Sequence, residues 1–264
     1  METALAEQAT PMKTVDQEQQ IADNVAAVRQ RIADAARRAG RAPEEITLIA
    51  VTKTHPAPLI AHALAAGVSD CGENRVQEAD DKIPLLHHAA PRWHLIGHLQ
   101  RNKARRAVAL FDMIHSLDSL RLAEALDRLV EEQWTQQPER AGRRLPVLLQ
   151  VNVSGEQSKE GFALAGGIEN RAALPELVQT AQQIAALPRL DVQGLMTVAP
   201  YSDDPEDARP TFRALRRLRD ELARQVPQAS WRHLSMGMTG DFEAAIEEGA
   251  TLVRVGRAIF GARM

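Results

Sequence analysis

A single (β/α)8 TIM barrel is the fold class that the sequence predicts, and three observations predict it. Eight strand-like apolar runs recur along the chain with helical patterns between them. The length, 264 residues, matches the roughly 250 that one such barrel needs. No stretch rich in Pro, Gly or Ser divides the chain. Alternating strands and helices pair in parallel through right-handed crossovers. A doubly wound open sheet is the alternative, and in both folds ligands bind at the carboxyl ends of the strands.

Residues 1–16 show no period and are expected to be a disordered tail, leaving 17–264 as the barrel domain. Ile21, Val25, Val28 and Ile32 step by four, three and four, one face of a helix over Gln17–Ala39 that Gly40 ends. The predicted strands are Ile46–Lys53, Val68–Asn74, Arg92–His98, Met113–Ser119, Leu145–Val153, Leu190–Pro200, Trp231–Met238 and Thr251–Phe260. The clearest helix between them is Pro205–Val226. Phe212, Leu215, Leu218, Leu222 and Val226 form its apolar stripe, and Arg213, Arg216, Arg217 and Arg219 form a solvated face. Further helices are expected over 57–66, 75–86, 102–110, 120–133, 174–187 and 241–248, with a loop at 165–173.

Composition removes several classes of function. The chain carries 32 basic and 35 acidic residues, a formal net charge of −3, and only nine aromatic residues. That balance argues against a nucleic-acid surface. One cysteine, Cys71, excludes an intramolecular disulfide and a Cys-based zinc site. No apolar run approaches the ~18 residues of a membrane span, and the polar N-terminus lacks a signal-peptide core. A cytoplasmic protein acting on something small is expected, without membrane, nucleic-acid or metal partners. Five lysines stand against 27 arginines, so a lysine in a buried-looking strand is not routine surface charge.

The strand ends carry the candidate chemistry. Lys53 closes the first strand, ITLIAVTK. Desolvation there lowers an amine's pKa and makes it a nucleophile towards a carbonyl; snorkelling into solvent is the alternative. The seventh strand ends LSMGMTGD, where Ser235 and Thr239 offer hydroxyls and Gly237 and Gly240 let backbone amides approach a ligand. The eighth reads RVGRAIFG, with Gly256 opening a turn. Loops after these two strands form the recurring phosphate site of such barrels. Arg254, two residues before Gly256, points inward and requires an acceptor, either a ring nitrogen or a carboxylate. Asn74 and Glu73 follow the second strand and reach the same mouth. His94 and His98 share a strand face about 13 Å apart, too far for one metal ion, and read as structural histidines. A carbonyl, a phosphate and a polar ring atom together describe pyridoxal 5′-phosphate (PLP).

The segments AVTKTHP, GENRVQE, WHLIGHLQRNK, SKEGF, GLMTV, LSMGMTGDF and VRVGRAIFG, in this order from about residue 20 to the end, resemble the pyridoxal phosphate homeostasis proteins. Their barrel is similar to the N-terminal domain of alanine racemase, the type III PLP fold. The resemblance implies that Lys53 holds PLP as a Schiff base and that Ser235, Thr239 and Gly256, with the backbone around Gly237, cradle its phosphate. It also implies that Arg254 partners the pyridine nitrogen and that Asn74 and Met196 lie beside the ring. Lys159 falls at the family's SK-x-G position, that of a secondary acceptor. Arg257 stands where a small hydroxyl residue is usual. The chain stops four residues after the eighth strand, so the β-domain of the racemases is not expected. The only tyrosine, Tyr201, is a poor candidate for a second base. The expected function is PLP homeostasis: a carrier, a monomer or weak dimer without catalytic residues, that hands the cofactor to apo-enzymes. A PLP-dependent racemase is the alternative.

Overall fold

The computed structural model describes residues 12–135, 137 and 140–261. In chain order the elements are α1 (Met12–Arg38), β1 (Thr47–Val51), α2 (Ala57–Ala65), β2 (Asp70–Glu73), α3 (Val76–Leu86), β3 (Arg92–Leu95), α4 (Ala104–Leu110), β4 (Met113–Leu117) and α5 (Leu120–Trp134). They continue with β5 (Leu145–Asn152), β6 (Phe162–Ala163), α6 (Leu174–Ala185), β7 (Leu190–Met196), α7 (Arg209–Gln225), β8 (His233–Ser235), α8 (Phe242–Glu247), β9 (Leu252–Val255) and α9 (Arg257–Phe260). Eight strands close into a parallel ring in the order β1-β2-β3-β4-β5-β7-β8-β9. The barrel is therefore closed, and the open sheet is excluded.

The helices form as the periodicity requires. Ile21, Val25, Val28 and Ile32 of α1 are buried, and α1 packs outside the barrel on α2, α8 and α9. The apolar stripe of α7 is wholly buried, while Arg213 and Arg217 on its other side pair with Glu248 and Glu169. Among the described residues no helix is long and apolar enough to cross a membrane.

Element boundaries differ from expectation in informative ways. The first helix begins at Met12, so 12–16 are helical; residues 1–11 of the expected tail lie outside the described residues. The eighth expected strand ends at Val255, and Arg257–Phe260 coil into α9, whose Ile259 is buried. A short apolar run has no period that separates strand from helix. The third strand stops at Leu95, so His94 faces the interior while His98 lies exposed beyond the strand. Ladders end at the barrel mouth, where loops take over the pairing. The short β6 matches no predicted strand and extends β5 outside the ring.

Inside the ring, Ile49, Met113, Leu148, Met196 and Leu252 form a small apolar cluster separate from the large core beneath the helices. Polar side chains share this interior, which matters below. The β5–β7 pairing shifts register between Val147 and Leu148, next to Gly194. Gly194 has φ +152°, and a Cβ there would meet the His233 carbonyl oxygen at 1.9 Å. Only glycine lets β8 approach β7 there. Gly194→Ala should therefore destabilise the barrel by about 1–3 kcal/mol. A lowered urea midpoint checks this, and an unchanged midpoint contradicts it.

Candidate functional site

A cavity of about 250 Å³ opens at the carboxyl ends of the strands. Val51 and Lys53 reach it from the end of β1, Thr239 and Gly240 from the loop after β8, and Arg254, Gly256 and Arg257 from β9 and its turn. Lys159 from the loop after β5 and Tyr201 from the loop after β7 complete its wall. Lys53 sits two residues past Val51 and is half-buried. The amides of Thr239 and Gly240 make no hydrogen bond among the described residues, so these two N–H groups are available to an anion.

Arg254 is the unusual group. Its side chain is 4% exposed. Its Nη1 donates to Ser235 Oγ at 2.6 Å and its Nη2 to the Thr197 carbonyl at 2.9 Å. Among the described residues no carboxylate lies within ion-pair distance. Burial lowers its pKa to about 10, opposed by the charge of Asp241, and the group stays cationic at neutral pH. A buried unpaired charge costs several kcal/mol, so the internal ion pair is not the explanation for Arg254.

A hydrogen-bond chain extends from it across the barrel. Ser235 Oγ lies 2.9 Å from His115 Nδ1, His115 Nε2 lies 2.9 Å from His94 Nδ1, and His94 Nε2 lies 2.9 Å from Asp70 Oδ1. A guanidinium only donates and a carboxylate only accepts, so Arg254 donates to Ser235 and His94 through Nε2–H to Asp70. The two imidazoles join these ends, His115 Nδ1 at the serine hydroxyl and His115 Nε2 at His94 Nδ1. Burial, followed by His94 and Arg254, holds His115 well below its ordinary pKa. Burial raises the Asp70 carboxyl, but hydrogen bonds from His94 and Ser69 outweigh it and leave the pKa lowered.

The predicted site residues divide into two groups. Lys53, Thr239, Arg254 and Gly256 share the cavity, together with Lys159 and Arg257. Lys159 pairs with Glu156 at 3.6 Å. Four others lie elsewhere. Ser235 is fully buried with its hydroxyl held by Arg254 and His115, because the inward position at the end of β8 lies below the mouth. Gly237 has φ +92°, and a Cβ there would meet the Ala245 Cβ at 2.6 Å, so packing of α8 requires a glycine here. Met196 belongs to the apolar cluster inside the barrel, one layer below Val198 of the cavity wall. Asn74 lines a neighbouring cleft with Gly97 and His98. Glu73 does not reach the mouth either: Thr52 and Lys82 hold its Oε1 at 2.7 and 2.8 Å. Cys71 is buried, and burial pushes its thiol up to about 12.

Sequence reasoning missed two groupings. His115 has no motif around it, and only the register of β3, β4 and β8 joins it to His94 and Ser235. At the rim, His98, Asp118 and Glu160 come within 4.8 Å of one another from three separate elements. His98 Nδ1 pairs there with Asp118 at 3.1 Å.

The family description that matches residues 20–264 is alanine racemase, N-terminal domain. The chain is 43% identical over 256 residues to the pyridoxal phosphate homeostasis protein of Escherichia coli K12, covering 92% of this chain and 97% of the relative. The chain belongs to the pyridoxal phosphate homeostasis protein family. The Aquifex aeolicus member is 41% identical over 242 residues, with 91% and 97% covered. PipY of Synechococcus elongatus PCC7942, solved with PLP bound, is 38% identical with a TM-score of 0.75, covering 91% of this chain and all of PipY. Alanine racemase from Corynebacterium glutamicum, 17% identical, shares the fold at a TM-score of 0.64, with 93% of this chain and 62% of the racemase covered.

The buried histidines set a pH dependence of stability. Burial, then the charges of Arg232 and Arg92, lowers His233 to about 4 from an ordinary 6.5, and His115 is lowered in the same sense. Below pH 6.5 the unfolded chain takes up protons that the folded barrel refuses, so stability falls with pH. Unfolding free energy measured in urea should decline between pH 6.5 and about 4.5, and a flat profile over that window contradicts the lowered His233 and His115.

Proposed function

We propose that the chain binds PLP in the upper-mouth cavity and acts as a cytosolic carrier of that cofactor rather than as a racemase. The observation that carries this reading is the buried Arg254 cation. Among the described residues it has no carboxylate partner and faces a cavity that also presents Lys53 and two unbonded amides. A carboxylate-free guanidinium suits an electron-rich acceptor such as a neutral ring nitrogen. When bound, PLP supplies an aldehyde that condenses with an amine, with loss of water, and a phosphate dianion. Lys53 is the amine. Its place two residues past a buried strand end holds it at a fixed point of the mouth. Thr239, with the amides of Thr239 and Gly240, supplies donors to the phosphate, and Gly256 leaves the opposite wall without a side chain. Ser235 acts at one remove, as a positioning residue that holds Arg254.

The carrier reading follows from what these residues do with protons. Arg254 donates a hydrogen bond but does not protonate a ring nitrogen, which leaves the ring a weak electron sink. Racemisation by two bases requires one on each face of the substrate. Tyr201 shares the cavity with Lys53, but it is 81% exposed and its hydroxyl donates to Asp203 at 3.0 Å. The hydrogen bond to Asp203, and that carboxylate's charge, raise the tyrosine pKa. This keeps the phenol protonated and unsuited to act as a base. Release of the cofactor to apo-enzymes is the corresponding role for a site that holds without reacting.

Three outcomes test this reading. Purified protein given PLP should absorb in the visible, and borohydride reduction followed by peptide mapping should put the label on Lys53. A label mainly on another lysine overturns the assignment. Thr239→Ala should weaken PLP binding about tenfold to a hundredfold by loss of one charge-assisted hydrogen bond, with no change in the melting profile. Equal affinity would place the phosphate elsewhere. Incubation with D- or L-alanine followed by chiral analysis should show no racemisation, and turnover at ~1 s⁻¹ or more would establish the racemase instead.

A further inference from the structure

At the opposite mouth, where the strands begin, a second cavity of about 470 Å³ lies on the barrel axis. All eight strands of the ring or the residues just before them contribute to its wall. Three arginines line it: Arg92, Arg143 and Arg232. Arg92 pairs with Asp70 at 2.8 Å. Arg143 and Arg232 make no side-chain hydrogen bond or ion pair among the described residues. The two carboxylates on the wall are already engaged. Asp70 accepts from Ser69, His94 and Arg92, and Asp112 accepts from the Trp93 amide at 2.8 Å with Arg140 4.0 Å away. Two cations therefore remain uncompensated around one axial cavity, in a chain whose net charge is −3. The charge of Arg232 also reaches His233 on the same wall, whose pKa is lowered by burial first and then by Arg232 and Arg92, with Asp191 opposing.

We propose that this lower mouth is a binding site for a small phosphate-bearing anion, held between the guanidinium forks of Arg143 and Arg232. The planar donor pairs of a guanidinium match phosphate oxygens two at a time. A phosphate monoester carries close to two negative charges near neutral pH, which balances the two unpaired cations. Met113, Pro146 and Leu252 give the same cavity an apolar floor, so an organic group attached to the phosphate has a surface to cover. The site lies at the other end of the barrel from Lys53 and does not rest on the reading of the upper mouth.

Isothermal titration calorimetry on the full chain, with PLP already bound, tests the proposal using inorganic phosphate and phenyl phosphate as probes. Sodium chloride at matched ionic strength is the control. One saturable site is expected for phosphate and none for chloride. Arg143→Gln/Arg232→Gln should weaken it at least about tenfold. Both side chains are exposed and unbonded, so an unchanged melting profile is expected. Arg232→Lys, which keeps the charge but loses the fork, should fall between. In Lys53→Ala the site that Arg143→Gln/Arg232→Gln weakens should keep its parent affinity, which separates it from the upper one. Tighter binding of phenyl phosphate assigns an organic phosphate to the site, and equal binding assigns free phosphate. Absence of a saturable site, or full affinity in the double variant, overturns the proposal.

Discussion

The buried charge of Arg254 is the constraint around which the upper half of the barrel is organised. A guanidinium at 4% exposure without a carboxylate is costly, and the fold offsets the cost in two ways. It gives the cation neutral acceptors, Ser235 Oγ and the Thr197 carbonyl. It also connects the cation through two imidazoles to Asp70 near the other end. The ends of this chain are an obligate donor and an obligate acceptor. Rigid orientation of the remaining Arg254 donors towards the cavity is the consequence. A carboxylate beside Arg254 would have compensated it more directly but would have offered a ligand a neutral pair instead of a cation.

The same constraint separates binding from turnover. An acid at this position would stabilise a protonated ring and promote carbanion chemistry, whereas on the proposed reading a guanidinium would hold the ring without driving it. Tyr201, the one phenol near Lys53, is exposed and engaged by Asp203. On the proposed reading, the geometry would retain an aldehyde and a phosphate while supplying little to move a substrate proton. Lys159 shares the cavity with Lys53, so a second amine stands within the site through which a bound aldehyde would enter or leave.

Much of this was legible before any coordinates. Alternation of strands and helices sufficed for the barrel, and position at strand ends brought Lys53, Thr239, Arg254 and Gly256 to one cavity. Motif membership was a weaker guide. Ser235 and Gly237 lie in the same LSMGMTGD segment as Thr239, yet one faces the axis beneath the mouth and the other packs on α8. Alternation along a strand decides which of two neighbouring residues faces a ligand, and a strand boundary misplaced by two or three residues blurs it. The His115–His94–Asp70 chain was not legible at all, because its members come from β4, β3 and β2 and meet only through the closed register of the ring. The lower mouth was hidden for the same reason: Arg92, Arg143 and Arg232 are scattered in sequence among 27 arginines and converge only when the strands close.

The role of Arg254 is most directly tested by the nitrogen-15 NMR shift of the pyridine nitrogen in protein loaded with labelled PLP. A resonance characteristic of a neutral nitrogen accepting a hydrogen bond is expected, unchanged from pH 6 to 8 and displaced in Arg254→Leu. A shift characteristic of a protonated pyridinium, or one that Arg254→Leu leaves in place, would contradict the assignment.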